Sequence, residues 1–337
     1  MNLPAELQQA IEGQVSRFNP SDLKPFCDEL STAYRQGVAG HHSPLRSDAY
    51  RCAYLATRMP ATYGAVSSVL SRVGQSLSTL GVESVLDLGA GPGTASWAAA
   101  SQLPGVAKMT LFERDASLVS VGKAMAQVSS STALLEATWM AADLSSEIAL
   151  PPHDLVLCSY VLSELSENSR AAVVEKAWAS ATKSLLIIEP GTPVGFGVLR
   201  QIRDRLLAKG ASLLAPCPHA LVCPMTGSDW CHFSVRLERS KLHRYLKSGT
   251  QGYEDEKYSY LVFVKSPFPR PAYSRILRHP QYAPGSVDLT LCTDIGVTAH
   301  VAIGKNQRDA FKRARKVEWG DAWFVDRPKP AKEIDLK

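Results

Sequence analysis

The sequence predicts an α/β fold, a doubly wound sheet with a helical region before it and a basic, cysteine-bearing part after it. Short apolar strands alternate with helical segments in the middle of the chain, and a glycine-rich turn joins the first strand to the next helix. The residue pattern changes on both sides of this stretch. We therefore divide the 337 residues into an N-terminal helical region (1–80), a Rossmann-like core (81–200) and a C-terminal part (201–337).

The N-terminal region is predicted to be helical. Apolar residues recur at steps of three and four over 3–18, 23–37 and 50–80, which is the spacing of one face of a helix. The pattern is interrupted at 19–20 and at 40–44, where proline and glycine occur. At least three helices are therefore expected before the first strand, as a helical cap or a partner-binding face.

The core is predicted from four short apolar strands separated by helical segments. The strands are Val85–Leu88, Met109–Phe112, Asp154–Cys158 and Leu185–Ile188. Helices are expected from Thr94 onward and over 117–128. Strands that alternate with helices indicate a parallel sheet with helices on both of its faces.

The C-terminal part is less regular than the core. Prolines and cysteines cluster between 216 and 231. Residues 258–264 predict the last long strand of the sheet, and 287–291 and 299–303 predict two short strands before a basic tail.

The composition is that of a soluble globular protein, with 45% hydrophobic and 20% charged residues. No apolar run approaches the roughly 18 residues that a membrane span requires. Acidic residues lie near the start of the chain, unlike in a transit peptide. We therefore expect a prokaryotic cytoplasm, where the seven cysteines serve as thiols or metal ligands and not as disulfides.

Charge is unevenly distributed along the chain. Residues 1–150 contain 10 Lys and Arg against 13 Asp and Glu, whereas residues 151–337 contain 27 against 19. A basic second half indicates a polyanionic partner, for which nucleic acid is the usual candidate. A solvated basic surface explains the counts equally well.

The glycine-rich turn is a candidate ligand-binding loop. Gly89, Gly91 and Gly93 lie between a strand and a helix, where doubly wound folds bind their ligands. Glycines let the backbone approach a ligand closely, and the helix start offers unpaired N–H groups. The dinucleotide fingerprint requires its third glycine at the position of Thr94. The spacing here, preceded by Asp87, instead resembles motif I of S-adenosylmethionine-dependent methyltransferases.

Two further acids fit a nucleoside ligand. Glu113 ends the second strand, where a carboxylate can accept hydrogen bonds from both ribose hydroxyls. Asp143 lies where such folds place the acid that contacts the adenine amino group, although a helix N-cap or turn residue is an equal interpretation. The alternative is that the whole loop is a glycine-rich turn in a protein that descends from an enzyme but no longer binds the cofactor.

Four cysteines form a candidate metal site. Cys217, Cys223 and Cys231 fall within fifteen residues, and Cys292 follows a later strand. Paired zinc knuckles are absent, and wide, loop-borne spacing suits an iron–sulfur cluster somewhat better. The spacing leaves the metal's identity open, with zinc as the alternative. His219 and His232 are possible substitute ligands or ordinary hydrogen-bonding histidines.

Several segments together resemble one family, the methyltransferase-like proteins associated with the small subunit of the mitochondrial ribosome and their bacterial relatives. The matching segments are 85–94, Ser159-Tyr-Val-Leu-Ser-Glu-Leu165, 186–192, Ala215-Pro-Cys-Pro-His219, Cys223-Pro224, Trp230-Cys-His-Phe-Ser234 and Arg315-Lys-Val-Glu-Trp-Gly-Asp321. The resemblance implies a class I methyltransferase-type sheet and S-adenosylmethionine as cofactor.

The resemblance also implies partners and a metal. It implies a 4Fe–4S cluster on Cys217, Cys223, Cys231 and Cys292, and binding to small-subunit ribosomal RNA during ribosome assembly and translation. It places the protein in the cytoplasm of a bacterium, or in the mitochondrial matrix if the chain is eukaryotic.

The residues after the strand at 154–158 bear on catalysis. Ser159-Tyr-Val-Leu162 stands where amino-methylating enzymes carry Asp/Asn-Pro-Pro-Tyr/Phe, and no Pro-Cys pair follows the strand. These residues leave two hypotheses open. One is methyl transfer to RNA, and the other is a non-catalytic assembly factor with the same fold. A small-molecule methyltransferase fits the basic half less well. Glu164 or Glu189 is a candidate base, with a helix N-terminal carboxylate as the alternative for Glu164.

Two basic segments are candidate RNA contacts, because Lys and Arg clusters neutralise phosphates. The candidates are Arg236, Arg239, Arg244, Lys312, Arg313, Arg315 and Lys316. Nearby aromatic residues, Trp230, Phe233 and Tyr245, are expected either to stack on unpaired bases or to pack in the core.

Overall fold

The computed structural model describes residues 1–36, 47–269 and 272–324, so the predicted break at 40–44 lies outside the described residues. The chain forms two compact units. The first consists of Met1–Ala215 and Ser228–Pro267, and the second of Pro216–Gly227 and Phe268–Lys337. The N-terminal helices therefore pack with the sheet in one unit.

Helices precede the first strand, as the apolar periodicity predicts. They are α1 (Ala5–Val15), α2 (Pro20–Gln36), α3 (Asp48–Thr57) and α4 (Met59–Thr79). The side chain of Ser47 caps α3 by accepting a hydrogen bond from the Tyr50 N–H at 3.2 Å. α4 is buried along most of its length and contacts strands of the sheet. In the described part of the chain, no helix combines the length and the apolar character needed to cross a bilayer.

The first unit is built on an eight-stranded sheet. Its strands are β1 (Ser84–Leu88), β2 (Lys108–Glu113), β3 (Thr138–Ala141), β4 (His153–Ser159), β5 (Ala181–Pro190), β6 (Ser212–Ala215), β7 (Phe233–Glu238) and β8 (Tyr253–Val264). The order is β3-β2-β1-β4-β5-β8-β6, and β7 pairs with β8. β1 to β5 are parallel, whereas β8 runs antiparallel to β5, β6 and β7. One antiparallel strand inserted beside a parallel core is the class I methyltransferase arrangement, and it confirms the predicted fold class.

Helices connect the strands of this sheet. They are α5 (Thr94–Gln102), α6 (Ala116–Ala126), α7 (Thr132–Leu135), α8 (Glu167–Ser180), α9 (Pro193–Ala208) and α10 (Lys241–Leu246). The central strands β1, β4 and β5 are apolar and almost completely buried, because helices cover both faces of a parallel sheet. The order of strands reverses between β1 and β4, which is where such folds open a crevice for ligands.

The second unit is a small antiparallel sheet with one helix. Its elements are β9 (Ser274–Ile276), β10 (Gln281–Ala283), β11 (Ser286–Cys292), β12 (Thr298–Gly304), α11 (Arg308–Ala314) and β13 (Ala322–Trp323). β11 and β12 contain the two short strands predicted at 287–291 and 299–303. Their apolar face packs in a core with Ile276, Ala314 and Trp323.

A buried arginine fastens the cysteine-bearing segment to this second sheet. The Arg275 side chain donates hydrogen bonds to the Pro216 carbonyl at 2.7 Å, to the Gly320 carbonyl at 2.6 Å and to the Tyr273 hydroxyl at 3.0 Å. Hydrogen bonds from a charged donor are among the stronger ones in proteins. The start of the segment 216–227 is therefore held by the second unit.

Candidate functional site

The glycine turn after β1 adopts a backbone conformation that favours glycine. Gly89, Gly91 and Gly93 have φ angles of 70°, 57° and 85°. A Cβ atom on Gly89 would lie 2.4 Å from Val161 Cγ2, whereas one on Gly91 would meet no atom within 4 Å. The backbone at Gly91 is thus open to an approaching ligand, while Gly89 serves the packing of the turn.

Asp87, at the end of β1, is a buried acid with an unused oxygen. Its side chain is 1% exposed, and its Oδ2 accepts a hydrogen bond from Ser96 Oγ at 2.8 Å. Among the described residues, nothing donates to its Oδ1. Burial raises the pKa of this carboxyl to about 7. A buried acceptor without a donor is costly, so the site gains free energy from a ligand that supplies one.

Glu113 holds the glycine turn in place. Its Oε2 accepts a hydrogen bond from the Gly91 N–H at 2.8 Å, and its Oε1 accepts one from the Asp115 N–H at 2.9 Å. The sequence indicated a ligand acid here but not this structural role. Each carboxylate oxygen can accept a second hydrogen bond, so the geometry is compatible with a ribose diol on the same carboxylate.

Asp143 is a turn residue at the rim of the same cavity. Its Oδ1 accepts hydrogen bonds from the Ser145 N–H at 2.8 Å and from Ser145 Oγ at 2.7 Å, and these bonds lower its pKa. Asp143 therefore has the local geometry of a turn residue, as one of the two interpretations of its sequence position predicted. The side chain is exposed, and its contact with adenine stays a prediction.

These residues line one cavity at the carboxyl ends of β1, β2 and β4. The lining includes Asp87, Gly89, Gly91, Glu113, Asp143, Glu164, Tyr54, Thr62, Arg114, Tyr160 and Leu165. Gly93 caps α5 instead, where a Cβ would lie 2.9 Å from the Trp139 ring. Tyr54 and Thr62 were not predicted to be site residues, because no local signal in the sequence links the N-terminal helices to a loop after β1. Arg114 could have been predicted to line the site, because it directly follows Glu113 in the sequence.

The loop after β4 carries a strained residue. Tyr160 has a φ of 57°, which is uncommon for a residue with a side chain. Its N–H donates to the Ile188 carbonyl at 2.8 Å. Its hydroxyl donates to Glu256 Oε1 at 3.2 Å, and Arg58 also reaches this oxygen at 3.4 Å. The Tyr160 hydroxyl is therefore tied to a carboxylate and a guanidinium.

The two candidate bases differ in position. Glu189 is fully buried, and its carboxylate accepts hydrogen bonds from the Leu162 N–H at 2.8 Å, from the Ser163 N–H at 3.3 Å and from Ser163 Oγ. Glu189 thus anchors the loop and is not part of the cavity lining. Glu164 ends a 3₁₀ turn (Leu162–Glu164) and lines the cavity, while Glu167 occupies the first turn of α8.

The candidate metal ligands belong to both units. Cys217, Cys223 and Cys292 lie in the second unit and Cys231 in the first. Cys292 Sγ is 3.4 Å from Nε2 of His219, and both side chains are buried. Over residues 1–36, 47–269 and 272–324, no group of three or more His, Cys, Asp or Glu side chains is arranged to hold a metal. The four-cysteine cluster stays a prediction.

The basic residues of the first unit are mostly paired with acids. Arg236 donates two hydrogen bonds to Asp255, both at 2.8 Å, and Arg239 donates to Glu254 at 3.1 Å. Lys247 also donates to Glu254, at 2.8 Å. Phosphate binding by Arg236 or Arg239 would compete with these ion pairs.

The other predicted RNA-binding side chains are exposed. They are Arg244, Lys312, Arg313, Arg315 and Lys316. The Arg313 guanidinium lies 5.5 Å from the centre of the Trp323 ring. Of the aromatic candidates, Phe233 is core, 1% exposed, whereas Tyr245 is 50% exposed. Trp230 donates from Nε1 to the Gly191 carbonyl at 2.9 Å.

The fold is that of a class I methyltransferase-type protein, with a candidate ligand cavity at its glycine loop. A sequence profile described as "Mitochondrial small ribosomal subunit Rsm22" matches residues 48–324. The chain therefore belongs to the Rsm22 family, a conclusion that confirms the resemblance inferred from the motifs.

Two relatives of this chain are named as mitochondrial proteins. The chain is 26% identical over 342 residues to the human "Ribosome assembly protein METTL17, mitochondrial", covering 94% of this chain and 73% of that protein. It is 23% identical over 373 residues to "Rsm22-cox11 tandem protein 2, mitochondrial" of Schizosaccharomyces pombe, covering 95% of this chain. It spans about half of that fungal protein, 49%.

Solved structures with a similar sheet are more distant. The magnesium protoporphyrin IX methyltransferase of Synechocystis has a TM-score of 0.41 and 17% identity, covering 61% of this chain and 84% of that one. An O-methyltransferase family protein from Burkholderia thailandensis has a TM-score of 0.44 and 14% identity, covering 70% and 64%. The fold assignment rests on the strand order described above.

Proposed function

We propose that this protein binds S-adenosylmethionine and acts in the assembly of the small ribosomal subunit, with methyl transfer to small-subunit ribosomal RNA as its activity. The observation that carries the proposal is the family match over 48–324, which includes both the cavity of the first unit and the basic helix of the second. The human relative is named a ribosome assembly protein.

The cavity residues fit the proposed cofactor. Gly91 leaves the backbone open, Asp87 offers an unused buried oxygen and Glu113 has lone pairs to spare. We assign the ribose hydroxyls to Glu113 and the adenine amino group to Asp143. When bound, S-adenosylmethionine supplies an electrophilic methyl group on a sulfonium. The protein's own contribution is to hold and orient the reactants, since alignment can supply much of such a rate enhancement.

A non-catalytic assembly factor is the second candidate function. The observation that favours it concerns the residues of the loop after β4. An amino-methylating enzyme requires side chains there that bind the acceptor amine. Here Ser159-Tyr160 stands in that place, and the Tyr160 hydroxyl is engaged with Glu256. In this form the same fold binds cofactor and RNA without turnover.

One complementation experiment separates the two candidates. The gene is deleted, and the cells receive either the wild-type chain or the Gly91→Arg variant. Mass spectrometry then measures methyl marks on small-subunit rRNA, and sucrose gradients measure mature subunits. A mark that is lost on deletion and restored only by the wild type supports the enzyme. Unchanged marks with immature subunits support the binding module, and normal marks with normal subunits refute both.

The RNA interface is proposed at the exposed basic residues. Arg244 in the first unit and the residues on and after α11 in the second, Lys312, Arg313, Arg315 and Lys316, are positioned in solvent for phosphate contacts. Arg236 and Arg239 take a lesser part, because each is already paired with a carboxylate.

The protein is proposed to be located in the same compartment as the ribosome on which it acts. The relatives' names support the mitochondrial matrix if this chain is eukaryotic, and the bacterial cytoplasm is the corresponding compartment otherwise. Cell fractionation with an epitope-tagged chain tests this assignment.

A further inference from the structure

The candidate cofactor cavity is strongly acidic. Five carboxylates and one guanidinium, that of Arg114, line it; the acids are Asp87, Glu113, Asp115, Asp143 and Glu164. Backbone N–H groups donate to Glu113, Asp115 and Asp143 at 2.8–2.9 Å. Such bonds offset part of the charge of a carboxylate. Ser96 compensates Asp87 in the same way, through its backbone and its side chain, and Glu164 is left without such compensation.

Glu164 is the least compensated of the five. No described residue donates a hydrogen bond to its carboxyl, whereas Asp87 accepts one from Ser96. The charged groups that act on Glu164 are Arg114, which favours ionisation, and Glu189 and Glu113, which oppose it. Burial has the largest effect on this carboxyl, and the combined effects raise the pKa of Glu164 to about 7. A positive charge in the cavity would therefore be stabilised by this side chain.

The loop that carries Glu164 is fixed on both sides. Glu189 accepts hydrogen bonds from the backbone N–H groups of Leu162 and Ser163. Arg170, on α8, donates from Nε to the Leu162 carbonyl at 2.8 Å and from a terminal nitrogen to the Leu165 carbonyl at 2.9 Å. The backbone around Glu164 is thus tied to β5 and to α8, which fixes the position of this residue in the cavity wall.

We propose that Glu164 is a specificity-determining residue that makes this cavity favour a cationic ligand, the sulfonium form of the cofactor, over its neutral thioether product. The proposal rests on the proposed cofactor site and extends it to a residue outside the glycine turn. S-adenosylmethionine and S-adenosylhomocysteine differ by one methyl group and one positive charge. Interaction with an uncompensated carboxylate therefore distinguishes the two by charge.

Calorimetry with both ligands tests the proposal. At pH 8, Glu164→Gln is expected to weaken S-adenosylmethionine binding about threefold to tenfold, the effect of one partly screened charge. Binding of S-adenosylhomocysteine is expected to change less than about twofold, which also shows that the variant is folded. Glu167→Gln removes the same charge from an exposed position outside the cavity, and it is expected to leave both affinities unchanged.

The pH dependence provides a second readout. In the wild type, the affinity ratio of S-adenosylmethionine to S-adenosylhomocysteine is expected to rise between pH 6 and pH 8, as Glu164 loses its proton. Asp87 titrates in the same range, so in Glu164→Gln the rise becomes smaller without vanishing. Equal losses for both ligands, or the same selective loss in Glu167→Gln, overturn the role of Glu164 alone. A wild type that binds neither ligand overturns the proposed cofactor as well.

Discussion

At the scale of single residues, the cavity places chemically similar groups under different constraints. Glu113 is bonded to the glycine turn, Asp143 to its own turn, and Asp87 has one oxygen that no described group satisfies. The three glycines differ in the same way, because only Gly91 has open space where a side chain would lie. A substitution at Gly91 is therefore expected to act on binding of the proposed ligand, whereas one at Gly89 or Gly93 acts first on packing.

Gly91→Arg is expected to abolish S-adenosylmethionine binding, because the new side chain enters the space where the backbone meets the ligand. The positive φ adds about 1–3 kcal/mol of backbone strain. Gly210→Arg is a matched control, since Gly210 also has a positive φ, 82°, and open space around its Cβ but lies outside the cavity. Calorimetry is expected to find full binding in Gly210→Arg and none in Gly91→Arg. Retained binding in the latter would refute the assignment of this turn.

At the scale of elements, the strands of the eight-stranded sheet that could be predicted are those with a buried apolar run. β1, β2, β4, β5 and the second half of β8 contain such runs, and each of these runs was predicted from its sequence. β3 has four residues, three of them exposed, and β7 carries two charged residues among six. Neither strand has the apolar signal on which such a prediction depends. The pairing of β7 with β8 is set by tertiary contacts that no local window contains.

The residues of the candidate site were likewise predictable only where a local sequence signal marked them. Asp87 was identified because it lies in a predicted strand, and Gly89 and Glu113 because each directly follows one. Tyr54 and Thr62 reach the cavity from helices, and the hydrogen bonds of Glu189 span 26 and 27 residues of sequence. Contacts of this kind depend on how the elements pack.

The end of β5 links stability to pH through Glu189. Burial raises the pKa of this carboxyl to about 7, above its value in an unfolded chain. Between about pH 4.5 and pH 7 the folded protein therefore holds a proton that the unfolded chain has lost, so this residue's contribution to stability falls as pH rises. Glu189→Gln is expected to make the free energy of unfolding fall less steeply over this range, by up to about 1.4 kcal/mol per pH unit.

Urea denaturation at a series of pH values measures this slope. Glu167→Gln, an exposed substitution in the first turn of α8, serves as the control and is expected to keep the wild-type slope. If Glu189→Gln also keeps that slope, the buried carboxyl is not the group that titrates. The single side-chain oxygen of glutamine can keep the hydrogen bond from the Leu162 N–H, but its amide nitrogen cannot accept the one from the Ser163 N–H, so the circular dichroism spectrum of the variant is compared with that of the wild type to check folding.

At the scale of the whole molecule, the family match extends across two units with different properties. The first contains the parallel sheet and the acidic cavity. The second is a small antiparallel sheet whose helix α11 and following residues present exposed basic side chains. A ligand site and a basic surface on separate units are consistent with a protein that binds a small cofactor and a large polyanion.

Replacing Arg313, Arg315 and Lys316 together by alanine is expected to weaken binding to small-subunit rRNA and to reduce its salt dependence. Each lost phosphate contact lowers the slope of log affinity against log salt by roughly 0.7–0.9. A matched triple variant, Lys108, Lys123 and Lys209 to alanine, removes three exposed positive charges from the first unit. Filter binding at several salt concentrations distinguishes the two, and identical slopes would exclude the basic helix from the interface.

The last prediction concerns metal, and it comes from the cysteine spacing and the family resemblance. Protein purified without oxygen is expected to be brown and to contain about four irons and four sulfides per chain. Substitution of Cys217, Cys223, Cys231 or Cys292 by serine is expected to remove the iron. Cys27, Cys52 and Cys158 are the controls, since each is buried in the first unit, and alanine there is expected to leave the iron content intact.

Cys292 is the discriminating position, because it is remote in sequence and only folding can bring it to the other three thiols. Ligation of a metal is part of the folding free energy of the segment that holds it. Loss of the cluster is therefore expected to lower thermal stability and to weaken RNA binding with every arginine intact. A colourless anaerobic preparation with one zinc per chain would keep the four cysteines and exclude the cluster. Full iron content in Cys292→Ser would exclude the ligand set, and the contact between Cys292 and His219 would then be explained by packing alone.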